Sequence, residues 1–470
     1  MLTYQDYLLV PDNDKDKMEF IRRVIHQHQT SSIYQMAVIA DEYDRHQNRT
    51  IKEYQKLLYD VTGKAVPDNW TANYKMASKF FSRFITQENQ YLLGNGVQWK
   101  KDDTAKKLGD NFDTQLQKGG KMALSGAVSF GFWNLDHVEF FSIREFAPLY
   151  DEENGALMAG VRFWQVDVKK PLRATFYEID GYTDYIWNTR DHADGKVLHE
   201  KRPYILKVRT SERDGFEIYD GQNYPSFPFV PLWGNPQKQS ELVGLREQID
   251  CYDLIKSGYA NNVDEGSLIY WTLNNAGGMS DIDLAQFVER MKTLHAATTD
   301  DNVSAESHNL ETPYAAREAL LSKLRSDLYE DAMALDVKNI ADGAVTATQI
   351  KAAYEPLNSK VDEYEYCVRE FIKGILDLAS IDDEPMFTRS VIVNSQEEIQ
   401  LVLQSGNYLP EDYVTKKILT LLGDGDMADE LIKQMDADEL SRGLTNEIGG
   451  EGEEDAEEDD SSDSEGAEEG

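Results

Sequence analysis

Hydrophobic spacing divides this chain into three stretches. Up to about residue 124 apolar residues recur every three or four positions, as on one face of a helix; from 127 to 236 they alternate, and from 241 the helical period returns. Within the first stretch, 18–64 reads as helices with polar interruptions, YDRHQNRTI at 43–51 being a polar turn between two of them. Residues 70–93 read as one amphipathic helix with Tyr74, Met76, Phe80, Phe81, Phe84 and Ile85 on its apolar side. It is stopped by Gly94-Asn95-Gly96 and followed by a strand at 97–99. Residues 112–124 are helical again. In the middle stretch, 130–138, 140–143, 159–168, 173–179, 182–188, 204–209 and 216–219 are short runs rich in Phe, Tyr, Trp and Val. Turn dipeptides such as Asn154-Gly155, Asp180-Gly181, Asp194-Gly195 and Asp214-Gly215 separate them, which predicts an antiparallel meander. The Pro-broken YPSFPFVPLWGNP at 224–236 closes it in extended form.

In the last stretch a helix is predicted over 241–264, with Leu242, Leu245, Ile249, Tyr252, Ile255 and Tyr259 near one stripe. A small α/β insert follows, with a strand at 267–273, a helix at 281–294 and further strand candidates around 296 and 304–310. A second helix over 315–335 carries Leu320, Leu321, Leu324, Leu328, Met333 and Leu335, and a third runs from 347 to 379. At about 1.5 Å per residue the third spans roughly 50 Å, longer than an ordinary domain needs. Between them lies DVKNIADGAVTATQIKAAY, 336–354. This is either the connection of a plain αα-hairpin or a mobile finger held between two long helices. A strand at 386–393 and helices at 395–405, 410–422 and 427–440 complete the pattern, and residues past about 442 are expected to be disordered.

Composition narrows the choices. The chain has 470 residues, 41% hydrophobic and 11% aromatic, enough for two or three domains with real cores. The first ten residues lack the basic and apolar regions of a secretory signal, and no apolar run approaches transmembrane length. Cys251 and Cys367 are the only cysteines, both within helical patterns, and are expected to be buried thiols of a chain made in a reducing cytoplasm. The net charge is -37, of which only about a third lies in the acidic end 451–470, so the folded body is acidic as well. Gripping nucleic acid by its phosphates requires a basic surface, which excludes a conventional DNA-binding module. A conduit that DNA traverses without sticking remains open.

Chemical motifs are sparse. There is no G-x-x-x-x-G-K-[ST] loop, H-E-x-x-H, paired C-x-x-C or G-x-S-x-G elbow. His26 and His28 point to different helix faces, and Asp424, Asp426 and Asp429 lack the Gly and distal Glu of a calcium loop. Asp41, Glu42 and Asp44 read as a solvated helix end. The pattern points away from an enzyme, and neither a cofactor nor a metal is expected.

Several segments in order resemble the portal proteins of tailed double-stranded-DNA phages of the siphophage type, over roughly 40–380. EYDRHQNRTI at 42–51 is similar to the family's tyrosine-rich turn. YLLGNGV at 91–97 matches its helix-ending segment, with Gly96 in place of the usual Pro. FAPLYDEENGALMAGVRFW at 146–164 resembles its strand pair, and the block at 227–265 its "IDaYd … aNdie" helix. GAVTATQIKAAYEPLNSKV at 343–361 is similar to a further block, with Thr346 and Ala347 where the family favours Ser-Gly.

The resemblance implies an α+β portal-type fold assembled as a ring of about twelve copies at a unique capsid vertex. Residues 1–240 would be the wing, its antiparallel β region at 127–236. The helices at 241–264 and 315–335 would be the stem, 265–314 the clip, 336–346 the tunnel loop, 347–394 a long bent helix returning to the wing, 395–442 the crown and 443–470 an acidic tail. It implies a channel for double-stranded DNA during packaging and ejection. The implied partners are the terminase large subunit, a head-completion adaptor, and the major capsid and scaffolding proteins, within a virion assembled in the host cytoplasm and without a membrane. Channel residues would be Lys338, Asn339, Asp342, Gly343, Ala344, Val345, Thr346 and Lys351. Clip contacts would be Asp281, Asp283, Glu289, Asp300 and Asp301, in a segment with eight acids against two bases over 265–312. The competing readings are another capsid or scaffolding protein and a metal-dependent nucleic-acid-processing enzyme.

Overall fold

The first helices form where the sequence supplies caps. Thr3 caps α1 (Tyr4–Leu8) in a reciprocal box with Asp6, Asn13 caps α2 (Asp14–Thr30), and Ser31 caps α3 (Ser32–Asp44). A short α4 (Arg49–Glu53) follows. In this computed structural model the described residues are 2–435, apart from 60–62, 70–72, 102, 168, 189–194, 212–214, 267–269, 275–279, 281, 284–285, 288–303, 309–313, 339–346, 391–394, 423–427 and 429–430. The expected strand near 296, most of the insert helix, part of the 427–440 helix and the acidic tail lie outside them. The chain falls into two compact units, Met1–Gly343 with Ala352–Val391, and Ala344–Lys351 with Ile392–Gly470.

In the first unit, β1 (Leu57–Tyr59) pairs with β2 (Ala65–Pro67). Then come α5 (Phe80–Leu93), β3 (Val97–Trp99), α6 (Thr104–Leu108) and α7 (Phe112–Gly126). The β region holds β4 (Val128–Asn134), β5 (His137–Ser142), β6 (Phe146–Tyr150), β7 (Leu157–Trp164), β8 (Leu172–Glu178), β9 (Gly181–Trp187), β10 (Gly195–Arg202), β11 (Ile205–Ser211), β12 (Gly215–Gln222) and β13 (Phe229–Trp233). β6 to β10 form one antiparallel meander, and β11 pairs with β12. The Pro-rich end is a true strand: β13 pairs with β4 at the edge of the sheet β13-β4-β5, where Pro231 costs no central ladder bond. The expected run at 130–138 is two strands, because Leu135 turns the chain at φ 61.

Two cores hold this region. Tyr7, Phe20, Ile21, Val24 and Ile25 from α1 and α2 pack on Leu149, Val161, Phe163, Phe176 and Trp187 of the five-stranded sheet. A second core joins Phe130, Phe146 and Phe229, their ring centroids 4.6 and 4.7 Å apart.

Two antiparallel helices follow, α8 (Arg246–Gly266) and α9 (Tyr314–Asp331): Gln248 of one reaches Asp331 of the other, and Tyr259 meets Tyr314 at 5.8 Å. Between them β14 (Tyr270–Asn274) pairs with β15 (Ser304–His308). The long α10 (Ala347–Ala379) buries Tyr354, Leu357, Val361, Tyr364, Val368, Phe371, Ile372 and Ile375 at helical spacing, and β16 (Pro385–Phe387) pairs with β3. Pro356 lies inside α10 and removes one backbone donor, that to Ala352. In the second unit α11 (Ser395–Ser405) packs on α12 (Glu411–Leu422).

Several expectations are corrected. The helix predicted from 241 begins at Arg246, because the chain turns at Gly244 with φ +87. The helix predicted to 335 stops at Asp331. Met333 takes φ 51, the Ala334 N–H donates to the Tyr329 carbonyl and the Met333 N–H to the Glu330 carbonyl, a Schellman ending with Met where Gly is usual. Leu320 and Met333, expected on the apolar face, are exposed, as is Cys251; Cys367 is buried. The Asp41, Glu42 and Asp44 helix end is not simply solvated, since Arg144 and Arg45 pair with Asp41, Arg49 with Glu42 and Lys121 with Asp44. The helix predicted from 70 starts only at Phe80, for a reason that belongs to the site.

Candidate functional site

The segment 336–346 leaves α9 from a clamped base. Gln87 of α5 holds Leu335 from both sides: the Leu335 N–H donates to Gln87 Oε1 at 3.0 Å and Gln87 Nε2 donates to the Leu335 carbonyl at 3.1 Å. One residue on, Arg325 Nη2 donates to both Asp336 carboxylate oxygens at 2.7 and 2.8 Å, and its guanidinium lies 5.0 Å from the centre of the Tyr329 ring. Asp336 Oδ1 also accepts the Lys338 N–H at 3.2 Å, starting a helical turn at 337–338.

Of the predicted channel residues, Lys338 and Lys351 are both exposed, the second on α10. Asn339, Asp342, Gly343, Ala344, Val345 and Thr346 lie outside the described residues. In the insert, Asp283 is exposed and accepts from the Ser280 N–H at 3.0 Å and hydroxyl at 2.8 Å, which holds its carboxyl below the usual carboxylate range. Asp281, Glu289, Asp300 and Asp301 lie outside the described residues. Of the predicted residues the structure thus describes Lys338, Lys351 and Asp283. What the described residues assemble is a support around α8 and the end of α9.

That support was missed in the sequence. The later part of α8 turns polar residues inward: Asp253, Ser257 and Asn261 are buried, spaced four apart, while the aromatic positions Tyr252 and Tyr259 are half-buried. Against this stripe lies an extended strap, 73–79. The Ser78 N–H donates to Asp253 Oδ1 at 2.9 Å, the Met76 N–H to Ser257 Oγ at 3.0 Å and the Tyr74 N–H to Asn261 Oδ1 at 2.7 Å. Two residues of extended chain advance about 6.6 Å and four residues of helix about 6 Å, so the two ladders stay in step. The strap's donors are therefore spent on side chains, which keeps 73–79 out of the helix its composition predicts. D-x-x-x-S-x-x-x-N on one helix face was the signal available.

The same helix receives the N-terminal turn. Tyr43 and Thr50 hydroxyls donate to Asp250 and the Asn48 amide to Asp253. Burial, with the Asp250 bond, pushes the Tyr43 phenol up to about 12, and burial raises the Asp253 carboxyl. Elsewhere Tyr91 of α5 donates to Asn358 Oδ1 at 2.6 Å and stacks on Tyr354 at 5.6 Å.

Residues 39–439 match the family model described as phage portal protein, SPP1 Gp6-like. A protein of Clostridium phage phiCD119 called portal protein is 26% identical over 289 residues, covering 58% of this chain and 61% of that one. The portal protein of Bacillus phage SPP1 is 22% identical over 396 residues, covering 75% of this chain and 74% of its own. This chain belongs to the SPP1 Gp6-like portal protein family. The match with the Clostridium phage relative spans about three fifths of that relative's length. Solved chains from the neck of an empty gene transfer agent particle and from the native particle's virion align with TM-scores of 0.43 and 0.41. They share 8% and 9% identity and cover 73% of this chain and 90% and 89% of theirs.

In this portal-family chain the segments that carry the resemblance are partners in space. The turn at 42–51 reaches the IDCYD stretch of α8 through Tyr43, Asn48 and Thr50, and YLLGN reaches α10 through Tyr91. Residues 146–164 contain the paired strands β6 and β7.

Proposed function

We propose that this chain is the portal subunit of a tailed phage. Copies form a ring, of about twelve members, at one capsid vertex. Double-stranded DNA enters through its channel during packaging and leaves through it during ejection. In this reading 1–240 is the wing, 241–264 and 315–335 are the stem, 265–314 is the clip that meets the terminase and later a head-completion adaptor, and 395–442 is the crown. Segment 336–346 lines the channel at its narrowest part. The role is structural, with no catalysis by the chain itself.

The family match across 39–439 carries this reading. Electrostatics agrees: duplex DNA bears one charge per about 1.7 Å, so tight basic contacts would stall its movement. A chain with net charge -37 and two exposed lysines flanking the segment in sequence, Lys338 and Lys351, favours weak sliding contacts. Electron microscopy of the purified full chain is expected to show rings with a central channel, and deleting Gly343 to Val345 is expected to spare rings while abolishing packaging. A stable monomer with metal-dependent nuclease activity overturns the reading.

A further inference from the structure

The long helix carries a buried lysine whose partners come from three other parts of the first unit. Lys360 Nζ of α10 lies 2.9 Å from Glu88 Oε2 of α5 and 2.7 Å from Glu241 Oε2, in the turn before α8. It also donates at 3.2 Å to the carbonyl of Ala332, inside the Schellman ending of α9. Lys360 thus makes two ion pairs and one hydrogen bond, and Glu88 Oε2 is left without a hydrogen bond of its own. Glu88 is 2% exposed.

Two carboxylates face one ammonium here, leaving an excess negative charge where charge is costly. One added proton relieves it. Burial pushes the Glu88 carboxyl up to about 8, with Glu241 adding to the rise and Lys360 opposing it. Burial works against the Lys360 charge, but Glu88 and Glu241 outweigh it. Tyr364 of α10 also feels the Glu88 charge, and burial holds its phenol protonated. Asp331 of α9 and Glu363 of α10 line the adjoining cavity of about 540 Å³ together with Glu88, Glu241 and Lys360, so water has room to exchange the proton.

We propose that Lys360 is a positioning residue: it ties α10, α5, the turn before α8 and the end of α9 into one base, and so fixes where 336–346 leaves α9. The base is tightest with Glu88 protonated. Its effect on DNA passage rests on the portal reading; its effect on the base does not.

Hydrogen exchange on the full-length protein from pH 5 to 9.5, with rates corrected for intrinsic pH dependence, tests this. Opening the base exposes Glu88, which then titrates near 4.5 and releases its proton. Protection over 328–338 is therefore expected to fall about tenfold per pH unit between roughly 5 and 8 and to level off above. Glu88→Gln, shaped like the protonated acid, is expected to flatten the profile. Lys360→Met is expected to lose protection there at every pH while β4 and β5 keep theirs, with Lys360→Arg partly restoring it. A wild-type profile without the slope, or a Glu88→Gln profile that keeps it, overturns the proposal; this pair decides the matter if Lys360→Met does not fold. DNA packaging by Lys360→Met rings is a separate arm. Lost protection over 328–338 with unchanged packaging refutes the channel reading of the segment and leaves the positioning role standing.

Discussion

The backbone N–H of Ser78 donates to Asp253 Oδ1 at 2.9 Å, and the Asp253 side chain, buried in a helix, has Asn48 as its other partner. This contact joins parts of the chain 175 residues apart. It shows that α8 is held by polar groups on the side where a helix usually buries leucines.

Replacing Asp253 with Leu strands the Ser78 N–H and leaves the Asn48 amide only its 3.3 Å bond to the Ser78 carbonyl. The expected loss is about 3 kcal/mol, because a buried donor left unpaired costs its full desolvation. Urea unfolding of the full chain measures it. A loss below about 1 kcal/mol would show that the strap contributes little.

Gly120 of α7 sits where a Cβ would overlap the Tyr364 hydroxyl and the Asn89 amide oxygen, which are themselves hydrogen-bonded at 2.9 Å. Helix propensity favours Gly120→Ala by about 1 kcal/mol. Overpacking opposes it by about 1 to 3 kcal/mol, and the lost Tyr364 to Asn89 bond adds to that. Packing is expected to win. Thermal unfolding should show a lower midpoint for the variant.

The Arg325 to Asp336 pair is partly exposed, with side chains 31% and 14% accessible, so solvent screens it. Arg325→Ala is expected to cost no more than about 1 kcal/mol globally, and less in high salt. Locally, exchange at 336–338 should rise. Swapping the charges, Arg325→Asp with Asp336→Arg, should recover part of the protection.

The two cysteines should differ in reactivity. Cys251 is exposed, while burial pushes the Cys367 thiol up to about 11, leaving little thiolate at neutral pH. Maleimide added to the unassembled chain at pH 7 is expected to modify Cys251 and spare Cys367, as read by mass spectrometry of peptides. Labelling of Cys367 at a matching rate would contradict its packing.

Much of the fold is legible in the chain. α10 runs over the predicted 347–379, because Leu357, Val361, Tyr364, Val368, Phe371 and Ile375 repeat at the helical period among good helix formers. The meander follows from aromatic runs cut by turn dipeptides. β13 was less visible, since its Pro231 is tolerable only at a sheet edge, and edges are a property of the assembled sheet.

The sequence by itself determined the periods, the caps, the acidic balance and the order of segments that marks the portal family, all of which depend on neighbours along the chain. Only the tertiary structure decided that 73–79 is a strap, that Asp253, Ser257 and Asn261 face inward, and that Lys360 meets Glu88, Glu241 and Ala332. Each of those depends on which distant donor finds which buried acceptor, a pairing that local periodicity does not encode.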